Sequence, residues 1–131
     1  MSKILIVGES WVTVAKHIKG VDEFSSHSYH EGLQPLRAAF EAAGHTVAHL
    51  PGHRVATEFP ETEEALSQYD VIILSDIGAD SIQLAPGVFE QAHPGVDRLA
   101  VLAEWVRGGG ALLMVGGYLA FAGIQGRAHY W

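Results

Sequence analysis

The hydrophobic positions of this chain fall into short unbroken runs separated by helical stripes. Ile4, Leu5, Ile6 and Val7 are consecutive, follow Lys3 and end at Gly8. A run without polar alternation marks a strand covered on both faces. Residues 46–50, 70–75 and 111–115 read as further strands, with Val71-Ile72-Ile73-Leu74 the strongest buried-strand signal. Between the runs, Leu33, Leu36, Phe40 and Ala43 share one face of a helix, with Arg37 and Glu41 off it and Gly44 as its stop. Residues 62–68 predict a short helix with Glu63 and Glu64 in the first turn, where the helix dipole favours acids. Asp97 caps a third helix that turns Leu99, Leu102, Ala103 and Val106 inward and stops at Gly108-Gly109-Gly110. Trp105 lies on or near that inner face and reads as core. Residues 9–32 and 76–95 show no clear period and read as long connections, and residues 51–60 read as a loop.

Strand and helix thus alternate along the chain, the signature of a parallel sheet with helices on both faces. With right-handed crossovers this is an α/β, flavodoxin-like (Rossmann-like) doubly wound sheet. Its expected strand order is 2-1-3-4. Residues 1–131 form one domain on this reading. Doubly wound domains commonly carry five or more strands, so the domain is expected to continue past Trp131.

Composition narrows the function classes. A chain of 131 residues with 48% hydrophobic content has enough apolar material for one core. The 15 acidic against 8 basic residues give a formal net charge of −7, which disfavours nucleic acid and anionic membranes as partners. Cysteine is absent, so disulfides, Cys-ligated zinc and thiolate catalysis are excluded for this chain. The longest apolar stretch, residues 111–124, is interrupted by Gly116, Gly117 and Gly123 and is shorter than the roughly 20 residues of a membrane helix. A soluble cytoplasmic protein is the expectation.

In an open parallel sheet, ligands bind beyond the carboxyl ends of the strands. Three predicted strands end in polar or glycine-rich segments: Gly8-Glu9-Ser10-Trp11, Ser75-Asp76-Ile77-Gly78 and Gly116-Gly117-Tyr118. In the order 2-1-3-4 these strands are neighbours, and the three ends converge on one crevice. The fourth strand, its tight glycine turn and an immediate helix start resemble a nucleophile elbow with Tyr118 at the apex. Tyrosine is a poor nucleophile at a pKa of about 10, so a hydrogen-bonding wall suits it better. Asp76 is placed to act as a general base, to orient a histidine or to cap a turn. Ser10 becomes a nucleophile only if a histidine reaches it, with His17 the nearest in sequence, and otherwise is a turn serine beside a packing Trp11. The candidate catalytic residues are therefore Asp76, Tyr118 and Ser10. Glu9, Trp11, His17, Ser75, Gly116 and Gly117 are candidate ligand-binding residues. His27, His30 and Glu31, with Asp22 or Glu23, offer metal-ligand atoms, but His-x-x-His gathers them only on a helix, which is not predicted here. No metal site is expected. Neither G-x-G-x-x-G nor a Walker A pattern follows the first strand, so no nucleotide cofactor is expected either.

Taken together, Gly8-Glu9-Ser10-Trp11, His17-Ile18-Lys19-Gly20, Ser75-Asp76-Ile77-Gly78 and Gly116-Gly117-Tyr118-Leu119 resemble the class I glutamine amidotransferase-like proteins, and within them a bacterial cytoplasmic branch. The resemblance runs through essentially the whole chain and implies a flavodoxin-like fold. It also implies a longer chain, because family members usually extend well beyond this endpoint. True class I amidotransferases place a cysteine at the elbow, activated by a later histidine and glutamate. The matching position here is Tyr118, so the resemblance carries a fold and a pocket location without the thiolate mechanism.

Three functions follow. The first is a small-molecule site at the strand ends. The second is a non-catalytic assembly or regulatory module, with Trp11, Phe24, Tyr29 and Phe89 as exposed-loop aromatics and a homo-oligomer as its natural form. The third, a working glutamine amidotransferase, conflicts with the missing cysteine.

Overall fold

The computed structural model describes residues 1–92, 95–117, 120 and 121. Its main sheet holds four parallel strands: β1 (Lys3–Gly8), β4 (Thr46–Leu50), β5 (Val71–Ser75) and β6 (Ala111–Val115). The order is β4-β1-β5-β6, which is 2-1-3-4 when only the strands of this sheet are counted. The register aligns the carboxyl ends, with Gly8 opposite Ser75 and Ser75 opposite Val115.

Alternation along the buried strands explains both faces. Ile4, Ile6, Val47 and Ile73 turn to one side and pack with Leu33, Leu36 and Phe40 at and along α1 (Gln34–Ala42). Leu5, Val7, Leu50, Ile72 and Leu74 turn to the other side. There they meet α2 (Gly52–Glu58), α3 (Glu63–Leu66), α4 (Ala79–Gln83) and α6 (Arg98–Arg107) through Val55, Leu66, Ile82, Leu99, Leu102 and Trp105. Because both faces of β1 and β5 are buried, their sequences carry no polar alternation, whereas the edge strand β6 leaves Leu113 and Val115 exposed. Asp97 caps α6 as expected, its carboxylate accepting from the backbone N–H groups of Leu99 and Ala100. Gly110 lies against the Trp105 indole, where a Cβ would collide with the ring.

Three stretches differ from the sequence expectation. Residues 9–32, expected as an irregular connection, form a long antiparallel hairpin of β2 (Ser10–Lys19) and β3 (Asp22–Glu31). Gly20 makes its two-residue turn possible by taking φ +65° at the first central position. Residues 51–60, expected as loop, contain α2, which starts directly after Pro51. Residues 76–95, expected as one connection, contain α4 and α5 (Pro86–Glu90). All three helices span seven residues or fewer, too short for an apolar stripe to declare itself in sequence.

Candidate functional site

The carboxyl ends of β1 and β5 both break into left-handed backbone. Gly8 has φ +92°, and a Cβ there would lie 2.9 Å from the Ile77 Cβ, so the position demands glycine. The next residue, Glu9, has φ +49°, and Asp76 at the end of β5 has the same value. For a residue with a side chain this costs about 1–2 kcal/mol. The turns are cross-linked. The Glu9 N–H donates to the Ser75 carbonyl at 2.7 Å, and the Ser75 hydroxyl donates to Glu9 Oε2 at 2.5 Å. Gly32 N–H donates to the Glu9 carbonyl at 2.9 Å, which ties the end of the hairpin into the same knot.

Gly117, at the end of β6, packs directly on Asp76. Its φ is +132°, and a Cβ there would lie 2.8 Å from the Asp76 Cβ. Gly116 sits against the Phe121 ring, with its hypothetical Cβ at 3.4 Å. Thus Glu9, Ser75, Asp76 and Gly117 come together at the ends of three adjacent strands. Tyr118 lies outside the described residues, as does the helix start expected beside it.

The remaining candidates go elsewhere. Ser10 accepts the Gly52 N–H at 2.7 Å, so its oxygen caps the first turn of α2. Trp11 stacks on His30 across the hairpin, with ring centroids 5.5 Å apart. His17 is seven residues along β2 from Ser10, about 23 Å at the rise of a strand. There it stacks on Phe24 at 4.5 Å and shares a hydrogen bond with the Ser26 hydroxyl. The structure therefore does not bring His17 to Ser10.

A different histidine reaches the strand ends. His49, near the end of β4, donates its Nε2–H to the Gly8 carbonyl at 2.7 Å, while Nδ1 faces a Glu31 carboxylate oxygen at 3.9 Å. The Tyr29 hydroxyl donates to the same Glu31 carboxylate at 2.8 Å, and its ring meets His53 edge-on. Its pKa is raised, first by desolvation and then by the Glu31 hydrogen bond, with a Ser10 hydrogen bond opposing. Sequence reasoning missed this set because His49 sits inside a strand pattern and its partners come from a hairpin that was not predicted. The one available signal was a polar side chain one residue before the end of an otherwise buried strand.

Among the described residues, no group of three or more His, Asp or Glu is arranged to hold a metal ion. A concavity of about 420 Å³ lies at the opposite end of the sheet, lined by Tyr69, Asp70, Trp105 and Gly108–Gly110 among others. That end carries the starts of β5 and β6, away from the ligand-binding end of a doubly wound sheet.

The parallel sheet, its order and the strand-end turns define a flavodoxin-like α/β domain with the layout of class I amidotransferase-like proteins. The chain belongs to the GATase1-like family, described as "Putative glutamine amidotransferase", whose model matches residues 3–131. Among solved structures it is similar to Cytoplasmic Protein STM3548 from Salmonella typhimurium, at 39% identity and a TM-score of 0.90, covering 99% of this chain and 52% of that one. It is also similar to Cytoplasmic Protein STM1381 from Salmonella typhimurium LT2, at 43% identity and a TM-score of 0.86, covering 95% of this chain and 51% of that one. The chain thus spans about half the length of both. No curated protein matches it. Among the described residues, no helix is long and apolar enough to cross a membrane.

Proposed function

We propose that this chain is an amidotransferase-like domain of the cytoplasm that binds a small polar molecule at the carboxyl ends of β1, β5 and β6. The observation that carries the reading is the pair Glu9 and Asp76. Two non-glycine residues hold φ +49° at the ends of neighbouring strands, and backbone strain of this kind concentrates at ligand-binding and catalytic sites. Their carboxylates suit a ligand that offers hydrogen-bond donors or positive charge, such as an amine or a polyol. Glutamine hydrolysis by a thiolate is closed to a chain without cysteine.

The test is a library of small amines, polyols and carboxylic acids screened by protein-observed NMR. Ligands bearing donor groups are expected to perturb Glu9, Ser75, Asp76 and Gly117, and Asp76→Asn is expected to weaken them at least tenfold. Binding that leaves these residues unmoved, or that survives Asp76→Asn unchanged, sinks the proposal. Ammonia release from glutamine by the purified chain would sink it equally.

A further inference from the structure

Among the described residues, no layer covers the β2–β3 hairpin, which projects from the domain. Among the described residues its two strands pair only with each other. It is fastened at its base, where Ser10 meets Gly52 and Tyr29 meets His53. Beyond the base both faces are open: Val12, Val14, Ile18 and Phe24 are each more than half exposed. Register sets the faces. Val12, Val14, Lys16 and Ile18 share one face with Glu23 and Tyr29, and Trp11, Ala15, His17 and Lys19 share the other with Phe24 and His30. A lone two-stranded ribbon is marginally stable in water, and its unpaired edges are templates for another strand.

The two edges differ in chemistry. β2 is rich in β-branched residues (Val12, Thr13, Val14, Ile18) and has no acid. β3 carries Asp22, Glu23 and Glu31 and no lysine or arginine. Joining two β3 edges would gather six carboxylates in the centre of a sheet. Joining two β2 edges would put the lysines in the centre and the acids on the flanks. Each Lys16 already has an acid of its own hairpin, Glu23 at 3.1 Å, and Lys19 stands opposite Asp22.

We propose that two copies of this chain associate through antiparallel pairing of their β2 edges, giving a four-stranded sheet β3-β2-β2-β3 centred on Ala15. Two-fold pairing that keeps each face continuous sets residues of the same parity opposite one another. Centred on Ala15, it places Val12 against the partner's Ile18, Val14 against the partner's Lys16 and Trp11 against the partner's Lys19. The first is a β-branched pair and the last a cation–π pair, and no like charges face each other. Centring on Lys16 would oppose two lysines. Centring on Val14 would set Ile18 against Ser10, whose hydroxyl oxygen is already committed to Gly52. This inference uses none of Glu9, Ser75 and Asp76, so it stands or falls separately from the small-molecule reading.

The absence of native cysteine makes the test clean. Sedimentation across the micromolar range is expected to show a mass rising from 14.1 kDa to twice that value. Ala15→Asp, which would oppose two carboxylates at the two-fold axis, is expected to stay single while retaining the circular dichroism of the parent. Under mild oxidation Ala15→Cys is expected to form a covalent dimer several-fold faster than Val14→Cys, and Ser26→Cys on the outer strand is expected to form almost none. A single-copy mass at every concentration overturns the proposal and leaves the hairpin to another segment or protein. Crosslinking of Ser26→Cys as fast as Ala15→Cys overturns it too.

Discussion

The Ser75 hydroxyl donates a 2.5 Å hydrogen bond to the Glu9 carboxylate, joining the ends of two adjacent parallel strands. Ser75 is buried and Glu9 is half-buried. Without this bond, among the described residues, the strained turn would still be held by the backbone bonds from Glu9 N–H and to Glu9 O and by the His49 bond to the Gly8 carbonyl. Ser75→Ala is expected to cost about 1–2 kcal/mol, the scale of a hydrogen bond to a charged group that keeps some water. Urea unfolding reads the loss directly. A change under a few tenths of a kcal/mol would mean that the backbone bonds and the His49 bond to Gly8 fix the turn without it.

The left-handed backbone at Asp76 gives a sharper comparison. Asp76→Gly and Asp76→Ala remove the same carboxylate with all its interactions. They differ only in a Cβ held at φ +49°. The glycine variant is therefore expected to be more stable by about 1 kcal/mol, the left-handed penalty less the extra chain entropy of glycine. Thermal unfolding of the two variants side by side decides it. Equal stabilities would show that the turn relaxes once the carboxylate is gone.

The extent to which these features were legible follows from what buries each segment. The main sheet, its order and the turns at Gly8, Ser75 and Gly117 were readable because its strands are short continuous apolar runs, double burial dictating this for β1 and β5 and not for the edge strand β6. Ile4–Val7 and Val71–Leu74 owe their composition to burial on both faces. The hairpin was not readable because little buries it. Val12, Val14 and Ile18 lie on one face and Trp11 and Ala15 on the other, so no alternation appears. β3 contributes only Phe24 and Tyr29 as large apolar groups. The exposed aromatics expected at Trp11, Phe24 and Tyr29 are indeed substantially exposed, but on strands rather than loops. The strand-end cluster suffered by consequence. Glu31 reaches His49 and Tyr29 reaches His53 only because the hairpin returns them to the base of β2, contacts no local pattern encodes.

Arg98 carries a role that composition could not reveal. It is 1% exposed at the first turn of α6, and its guanidinium donates to the Ile82 carbonyl at 2.5 Å and the Ala56 carbonyl at 3.0 Å. The Val55 and Phe59 carbonyls lie at 3.5 Å, and Nη2 has no hydrogen-bond partner among the described residues. Burial lowers its pKa, with Glu61 opposing. Arginine remains charged even so, and the carbonyl ends of α2 and α4 supply the counter-dipole. Arg98→Met keeps most of the volume but strands these acceptors, and is expected to cost about 2–4 kcal/mol. Arg98→Lys, with one compact donor group, is expected to recover only part of that. Denaturant midpoints of the two variants test the order, and a methionine variant as stable as the parent would show that water satisfies the carbonyls.

Tyr29 makes the hairpin base sensitive to alkali. Its phenol is held above the ordinary value of 10.0, first by desolvation, then by the hydrogen bond to Glu31 and that carboxylate's charge, with Ser10 and Arg54 opposing. A raised value means that the folded state holds the proton more tightly than the unfolded chain does. The contribution is therefore fully present below the unfolded value and is lost as pH rises through the folded one. Above the raised folded value a phenolate would face the Glu31 carboxylate within β3, and the contacts this pair makes with His53 and His49 should loosen. The chain has four tyrosines, so subtracting the phenolate absorbance titration of Tyr29→Phe from that of the parent isolates this one. The difference curve is expected to have its midpoint above 10.0, and amide exchange in β3 is expected to accelerate over the same pH interval in the parent alone. A midpoint at or below the ordinary value, or equal acceleration in Tyr29→Phe, would show that the Tyr29–Glu31 bond does not order the base of the hairpin.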